Sequence, residues 1–222
     1  MITTLGKIYE QRGITYVKTI RPAEDHLADD VTVVWHDSRM ISDEQRRKAY
    51  ALIGEITAWA GYMGREKETV NGHLKQRFLM QQAEEYQRQM FSLSDCSMTR
   101  AREYINWLID FCLDEDVPTK MPLMDLTDDL EKYSYACLLH KKCAICNRKA
   151  ELHHVDAIGM GYNRQTKPQI GALVLPLCRE HHMEYHNIGH TAFVEKYHIV
   201  PVKMDERLAK VYGLNKEARR TA

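Results

Sequence analysis

The feature that most constrains this chain is a pair of short segments with matched spacing near its C-terminus. Cys143-Ala-Ile-Cys146 places two cysteines three positions apart, and Cys178-Arg-Glu-His181 repeats that spacing with a cysteine and a histidine. Such spacing lets a tight turn offer two side chains to one tetrahedral ion, and a Cys3His set suits zinc. A thioredoxin-like redox pair and incidental buried cysteines are the alternatives, but neither explains the matched second pair. A closed four-ligand zinc site is usually structural, so we expect it to stabilise the fold.

Adjacent histidines accompany these cysteines. They form the pairs His153-His154 and His181-His182, and His186 follows four residues after the second pair. Neighbouring side chains point to opposite faces of a strand and about 100° apart on a helix. Adjacent imidazoles can therefore serve two purposes: His181 can bind zinc while His182 and His186 share a different helix face.

Charge and histidine content divide the chain into two parts. Residues 1–140 carry 17 basic and 23 acidic side chains, whereas residues 141–222 carry 14 and 8 and hold seven of the eleven histidines. The net charge of zero argues neither for nor against a nucleic-acid partner. The start of the chain lacks the pattern of a signal peptide, and no stretch has the length of a membrane span. We therefore expect a cytoplasmic protein without a membrane partner, in which six cysteines do not form a disulfide framework.

Apolar periodicity predicts an α+β chain. Short apolar runs before residue 34 predict strands and a hairpin, and a capping box at Ser42 and Gln45 predicts a helix over residues 43–60. Further helices are predicted over residues 66–90, after Thr99 and over residues 130–140, with a short strand at residues 91–98. Prolines and acids in residues 117–129 predict a connection, so we place a domain boundary there, giving domains 1–125 and 126–222.

The segments CAIC, ELHHVDAIGMG and LVLPLCREHHMEYH, in this order, closely resemble the HNH endonuclease family over roughly residues 140–190. The ββα-metal motif of that family is a two-stranded hairpin packed on a helix around one divalent cation. The resemblance implies that His153, His182 and His186 bind a catalytic divalent cation such as Mg2+ or Mn2+. It also implies that His154 is the general base, because a histidine titrates near neutral pH and can deprotonate the attacking water.

One departure from the family and one loop bear on the same site. The family has an asparagine shortly before the second zinc pair, but residues 171–177 contain none. The loop of residues 157–171 combines glycines with Arg164 and Lys167, which we expect to contact DNA phosphates. The alternative for this loop is a surface segment whose two cations are only solvated.

The N-terminal part carries a second resemblance. Residues 42–55, SDEQRRKAYALIGE, resemble the opening helix of the Orf (NinB) family of phage recombination proteins, and the likeness extends across residues 1–115. It implies a dimeric mediator that binds single-stranded DNA and the host single-strand-binding protein. Arg46, Arg47 and Lys48 lie where a helix dipole prefers acids, so we expect them to contact phosphate; a solvated helix face is the alternative.

Together these features predict a two-domain phage-type protein of the bacterial cytoplasm. An Orf-like domain would recruit an HNH nuclease to single-stranded or branched DNA during recombination or repair. The first alternative is a non-catalytic mediator whose zinc module serves only as a DNA-binding knuckle. The second is a restriction-like nuclease of duplex DNA.

Overall fold

The computed structural model describes residues 6–11, 14–19, 39–82, 88–155 and 170–214, with the backbone alone for the first two segments. The chain divides into two compact units after His36. The described part of the first unit is an antiparallel hairpin of β1 (Gly6–Gln11) and β2 (Ile14–Thr19). The predicted N-terminal hairpin is thereby confirmed.

The second unit begins with α1 (Asp43–Trp59), which the sequence predicted almost to the residue. The Ser42 hydroxyl accepts a hydrogen bond from the Gln45 N–H at 3.1 Å, and the Gln45 side chain accepts one from the Ser42 N–H at 3.3 Å. This capping box satisfies two N–H groups that the first helical turn leaves without partners. Gln45 also donates to the carbonyl of Met98 at 3.2 Å. This bond fixes the start of α1 against the start of a later long helix, Met98–Asp114.

Two further helices follow, and here three predictions were wrong. A 3-10 turn (Gly64–Glu66) leads into α2 (Lys67–Met80), which ends ten residues before the predicted residue 90. In place of the predicted strand, residues 93–95 form a turn, because the Cys96 N–H donates to the Ser92 carbonyl at 2.9 Å. The helix α3 (Met98–Asp114) is capped by Ser97, whose hydroxyl accepts from the Arg100 N–H, and not by Thr99 as predicted.

The predicted connection contributes to the core. A short helix α4 (Leu123–Leu126) buries both of its terminal leucines, at 2% and 4% exposure. The predicted helix over residues 130–140 is confirmed as α5 (Leu130–His140), and the Asp129 side chain accepts from the Lys132 N–H at its start.

The C-terminal part contains a ββα arrangement with additions. Its elements are β3 (Glu151–His154), β4 (Leu173–Leu177), α6 (Arg179–Ile188), α7 (His190–Tyr197), β5 (Val202–Lys203) and α8 (Glu206–Val211). The strands form an antiparallel sheet in the order β3-β4-β5, with α6 in contact with β3 and β4. The expected mixture of helices and strands is confirmed.

One hydrophobic cluster links the helices before residue 125 to the sheet after it. It includes Leu52 of α1, Leu108 of α3, Leu175 of β4 and Phe193 of α7, all essentially inaccessible to solvent. The domain boundary at residue 125 thus crosses packed apolar surface, and it stays a prediction. Among the described helices, none is both long and apolar enough to cross a membrane.

Candidate metal centres and active site

The first site contains the four predicted zinc ligands Cys143, Cys146, Cys178 and His181, whose ligand atoms lie within 4.8 Å of one another. The Nδ1 atom of His181 is 3.5, 3.7 and 3.1 Å from the three sulfur atoms, in chain order. A sulfur and a nitrogen ligand on a tetrahedral zinc ion would lie about 3.5 Å apart, because their distances to the metal are about 2.3 and 2.0 Å. The donor set and its spacing therefore fit zinc.

A backbone turn between α5 and β3 presents the first two cysteines. The Cys143 N–H donates to the Arg148 carbonyl at 2.7 Å, and the Asn147 N–H donates to the Cys143 carbonyl at 2.8 Å. Asn147 has a φ of 54°, in the left-handed region that asparagine tolerates better than most residues. The Tyr133 hydroxyl lies 2.9 Å from both the Ala144 carbonyl and the Asn147 side chain, so α5 fixes the turn.

The cysteines of this turn differ in their tendency to ionise. Burial raises the pKa of the Cys143 thiol to about 12. Burial also acts to raise the pKa of Cys146, but hydrogen bonds, foremost that from the Arg148 side chain, outweigh it and lower the pKa. A thiol as buried as Cys143 becomes a thiolate only beside a cation, and a bound zinc ion would supply one.

The second site contains the three imidazoles of His153, His182 and His186, whose ligand nitrogens also lie within 4.8 Å of one another. Their ring centroids are separated by 4.6 Å (His153 to His182), 5.2 Å (His153 to His186) and 5.0 Å (His182 to His186). His153 is 3% exposed, and its Nε2 atom has no hydrogen-bond partner among the described residues. Burying such an atom costs about 1 to 3 kcal/mol, which a bound metal ion would offset.

Electrostatics favour the neutral, metal-binding form of His153. Burial lowers its pKa to about 4, and the nearby His182 and His186 act in the same direction. An imidazole that is neutral at physiological pH keeps a lone pair available for a cation. The donor set therefore fits a divalent metal ion.

Within each pair of adjacent histidines, the two residues lie in different surroundings, as strand and helix geometry requires. On β3, His153 pairs with Leu175 and is buried against α6, while the half-buried His154 is the next residue of the strand and belongs to neither cluster. On α6, His181 joins the cysteines and His182 joins His153. The assignment of His154 as general base stays a prediction, as do the roles of the clustered ligands.

Three residues of the second site were missed by sequence reasoning. Glu151 places its Oε2 atom 3.4 Å from Nδ1 of His182. The buried Tyr185 ring lies 4.0 Å from the His153 ring, and its hydroxyl is 2.9 Å from Nδ1 of His190. Glu151 had a signal, because it lies two residues before His153 and strand residues two apart share a face.

Backbone hydrogen bonds secure the hairpin where the family asparagine is absent. The Val155 N–H donates to the Leu173 carbonyl at 2.9 Å, which closes the hairpin. The Gly171 N–H donates to the Met204 carbonyl, and the Met204 N–H to the Ala172 carbonyl, both at 2.8 Å. The segment after β5 thus ties down the start of β4.

The predicted DNA-binding cations have different environments. Arg46 donates to the carbonyls of Leu93 and Ser94 at 2.9 and 3.3 Å, and Lys48 pairs with Asp128 at 2.6 Å. Arg47 is the exposed member of the three. The other predicted cations, Arg164 and Lys167, lie outside the described residues.

Comparison with known proteins gives one match. Residues 15–215 match a family model described as "Putative HNHc nuclease", a range that includes both metal clusters and the helices α1 to α3. No curated protein and no solved structure matches the chain significantly. Since this family model covers most of the chain, this protein belongs to the HNHc nuclease family.

Proposed function

We propose that this protein is a metal-dependent HNH endonuclease that hydrolyses DNA phosphodiester bonds during phage recombination or repair. The observation that carries the proposal is the cluster of His153, His182 and His186. A zinc module that only stabilises the fold needs the Cys3His set. It gains nothing from three further imidazoles, one of which has a buried Nε2 atom without a hydrogen-bond partner in the part of the chain that the structure describes.

The chemistry assigns different tasks to these residues. His153, His182 and His186 would hold a divalent cation such as Mg2+ or Mn2+, which stabilises negative charge on the phosphate and on the leaving oxygen. His154 would accept the proton of the attacking water, as a general base does. Glu151, beside the Nδ1 atom of His182, would orient that imidazole. Products with 5′-phosphate and 3′-hydroxyl ends are expected from the family resemblance.

Recruitment is the second part of the proposal. The N-terminal half would bind single-stranded or branched DNA and the host single-strand-binding protein, as a homodimer in the bacterial cytoplasm. This part rests on the resemblance to Orf proteins around α1. Arg47 is the best candidate for a phosphate contact there, because Arg46 and Lys48 have partners within the protein.

A non-catalytic mediator is the alternative function. The observation that favours it is the absence of asparagine from residues 171–177, where the family supports its general base. In that case the zinc module would bind DNA without cleaving it.

The deciding experiment measures nicking of supercoiled plasmid and of a branched oligonucleotide by the wild-type protein and by His154→Ala. Each reaction is run with EDTA, Mg2+ or Mn2+. His73→Ala, at an exposed position of α2, is the matched control. We expect metal-dependent cleavage that falls by about 100-fold or more in His154→Ala, since general-base catalysis contributes about 10² to 10⁴.

Two outcomes would change the proposal. If neither protein cleaves any substrate while both bind DNA and zinc, the mediator function replaces it. If duplex DNA is cleaved in preference to single-stranded, flap and junction substrates, the enzyme is a restriction-like nuclease and the proposed recruitment is wrong.

A further inference from the structure

An ion pair joins the two halves of the Cys3His cluster. Arg148 lies two residues after Cys146, and Glu180 lies two residues after Cys178, so each half of the cluster carries one partner at the same offset. The Arg148 guanidinium donates to both carboxylate oxygens of Glu180, with the longer contact at 3.0 Å. The pair therefore connects the turn that carries Cys143 and Cys146 to the first turn of α6.

The same guanidinium reaches the sulfur atoms. Its Nε donates to the Sγ atom of Cys146 at 3.3 Å, and one terminal nitrogen lies 3.9 Å from the Sγ atom of Cys178. A guanidinium has five N–H groups in one plane, so it can satisfy a carboxylate on one side and a thiolate on another. Cys146 is also the least buried of the three cysteines, and its sulfur atom makes the shorter of the two contacts with Arg148.

The contacts between Arg148 and the two sulfur atoms would balance the charge of a zinc-loaded cluster. Three thiolates and one neutral imidazole around a doubly charged zinc ion leave a net charge of about −1. A cation that donates hydrogen bonds to two of the sulfur atoms offsets that charge and reduces their reactivity toward electrophiles.

We propose that Arg148 stabilises the zinc-bound thiolates of Cys146 and Cys178 and slows the release of zinc, with Glu180 as the residue that positions the guanidinium. The inference rests on the zinc site of the proposed function. The alternative is a simple ion pair that only links the two segments. In that case exchanging the two residues, with glutamate at position 148 and arginine at position 180, would preserve the effect.

The experiment uses the full-length protein after purification with zinc. Zinc release to an excess of a chromogenic chelator is timed for the wild type, Arg148→Gln, Glu180→Gln and the charge-reversed double variant Arg148→Glu/Glu180→Arg. Arg179→Gln, an exposed arginine between Cys178 and Glu180, is the control. The rate of Cys146 alkylation in the zinc-loaded protein, read by mass spectrometry, is the second measurement, and circular dichroism verifies that each variant is folded.

We expect Arg148→Gln to release zinc about tenfold or more faster than the wild type, in the range found for outer-shell partners of metal ligands. Alkylation of Cys146 should accelerate with it, Glu180→Gln should show a smaller effect, and Arg179→Gln should show none. Charge reversal should not restore slow release, because it places a carboxylate beside the sulfur atoms.

Two results would overturn the inference alone: wild-type kinetics in the charge-reversed variant, or equal rates in Arg148→Gln and Arg179→Gln. A wild-type protein that contains no zinc would instead overturn the zinc site itself, and the inference with it. Zinc content of the purified wild type separates these cases.

Discussion

His153 of β3 and His182 of α6 meet edge to face, with ring centroids 4.6 Å apart and ring planes at 75°. One ring comes from a buried strand position and the other from a half-buried helix position, so their approach depends on the packing of α6 against the hairpin. Two uncharged imidazoles at this distance can share a cation, whereas two protonated ones would repel each other.

The first prediction concerns that pair. His153→Ala and His182→Ala should each weaken binding of a divalent cation, measured with Mn2+ by calorimetry, by about 100-fold or more, since even outer-shell partners contribute about 10- to 100-fold. Zinc content should remain that of the wild type, because the Cys3His set is untouched. The exposed His73→Ala serves as control, and unchanged Mn2+ affinity in both variants would refute the assignment of the site.

The second prediction concerns zinc. Cys143→Ser should abolish zinc binding and lower the free energy of unfolding by several kcal/mol, because binding of a structural zinc ion is coupled to folding. Zinc content and thermal unfolding measure the two effects. Cys96→Ala, at a buried cysteine outside the cluster, should keep its zinc. A Cys143→Ser protein with normal zinc content would exclude Cys143 as a ligand.

The third prediction concerns pH. The hydrogen bond to Asp110 raises the pKa of His140 above its ordinary 6.5, and the Asp114 carboxylate acts in the same direction. Because the folded state holds this proton more tightly, the contribution to stability is fully present below about pH 6.5 and is lost as the pH rises through the folded pKa. Relative to His140→Gln, the wild type should therefore be more stable by about 1 kcal/mol near pH 5.5, with a smaller difference near pH 8.5.

Denaturant unfolding at both pH values measures this difference. Asp110→Asn removes the charge of the main partner of His140, whose Oδ1 atom lies 2.9 Å from the His140 Nε2 atom. This substitution should reduce the pH dependence of the stability difference. A difference between wild type and His140→Gln that does not vary with pH would contradict the prediction.

The fourth prediction concerns domain organisation. Leu108→Ala, at a fully buried position of α3, should destabilise the protein by about 2 to 5 kcal/mol. Because the apolar cluster continues into β4 and α7, unfolding of the helical half and loss of zinc should shift together. All three tryptophans lie before residue 125, so their fluorescence reports the first half while zinc release reports the second. Two separate transitions would support independent domains divided at residue 125.

The fifth prediction separates two adjacent arginines. Arg47→Ala should weaken binding of a single-stranded oligonucleotide and reduce its salt dependence by about one counterion, without loss of stability. Arg46→Ala should instead lower the free energy of unfolding by about 1 to 2 kcal/mol, because it removes hydrogen bonds to the Leu93 and Ser94 carbonyls. Fluorescence anisotropy at several salt concentrations is the measurement. Equal DNA affinity for Arg47→Ala and wild type would exclude Arg47 from the interface.

Local signals in the sequence predicted the parts of the fold that depend on neighbouring residues. Ser42 and Gln45 are three residues apart, and their side chains and backbone alone define the start of α1. The spacing of Cys143, Cys146, Cys178 and His181 likewise indicated the Cys3His cluster, whereas the cluster of His153, His182 and His186 was expected from the resemblance to HNH endonucleases. Local apolar pattern failed at residues 91–98, where a serine-rich turn replaced the predicted strand.

Contacts between distant segments were not predictable in this way. Arg148 and Glu180 face each other only because the turn that carries Cys146 and the helix α6 meet at the same Cys3His cluster. The burial of Leu123 and Leu126 depends on the position of α3. A proline-rich, acidic stretch of sequence does not by itself indicate that its leucines are buried. The contact between the rings of Tyr185 and His153 is a further case. Nothing in the sequence around a tyrosine that lies between two helical histidines indicates such a contact.

The adjacency of His181 and His182 restricts how this sequence can change over evolution. One helix carries residues of both clusters, and each inserted residue turns everything that follows it by about 100°. A single insertion between these histidines would leave His181 with the cysteines but rotate His182 and His186 away from His153. Length variation in related chains is therefore expected outside the nine residues from Cys178 to His186, while variation within them is confined to substitutions.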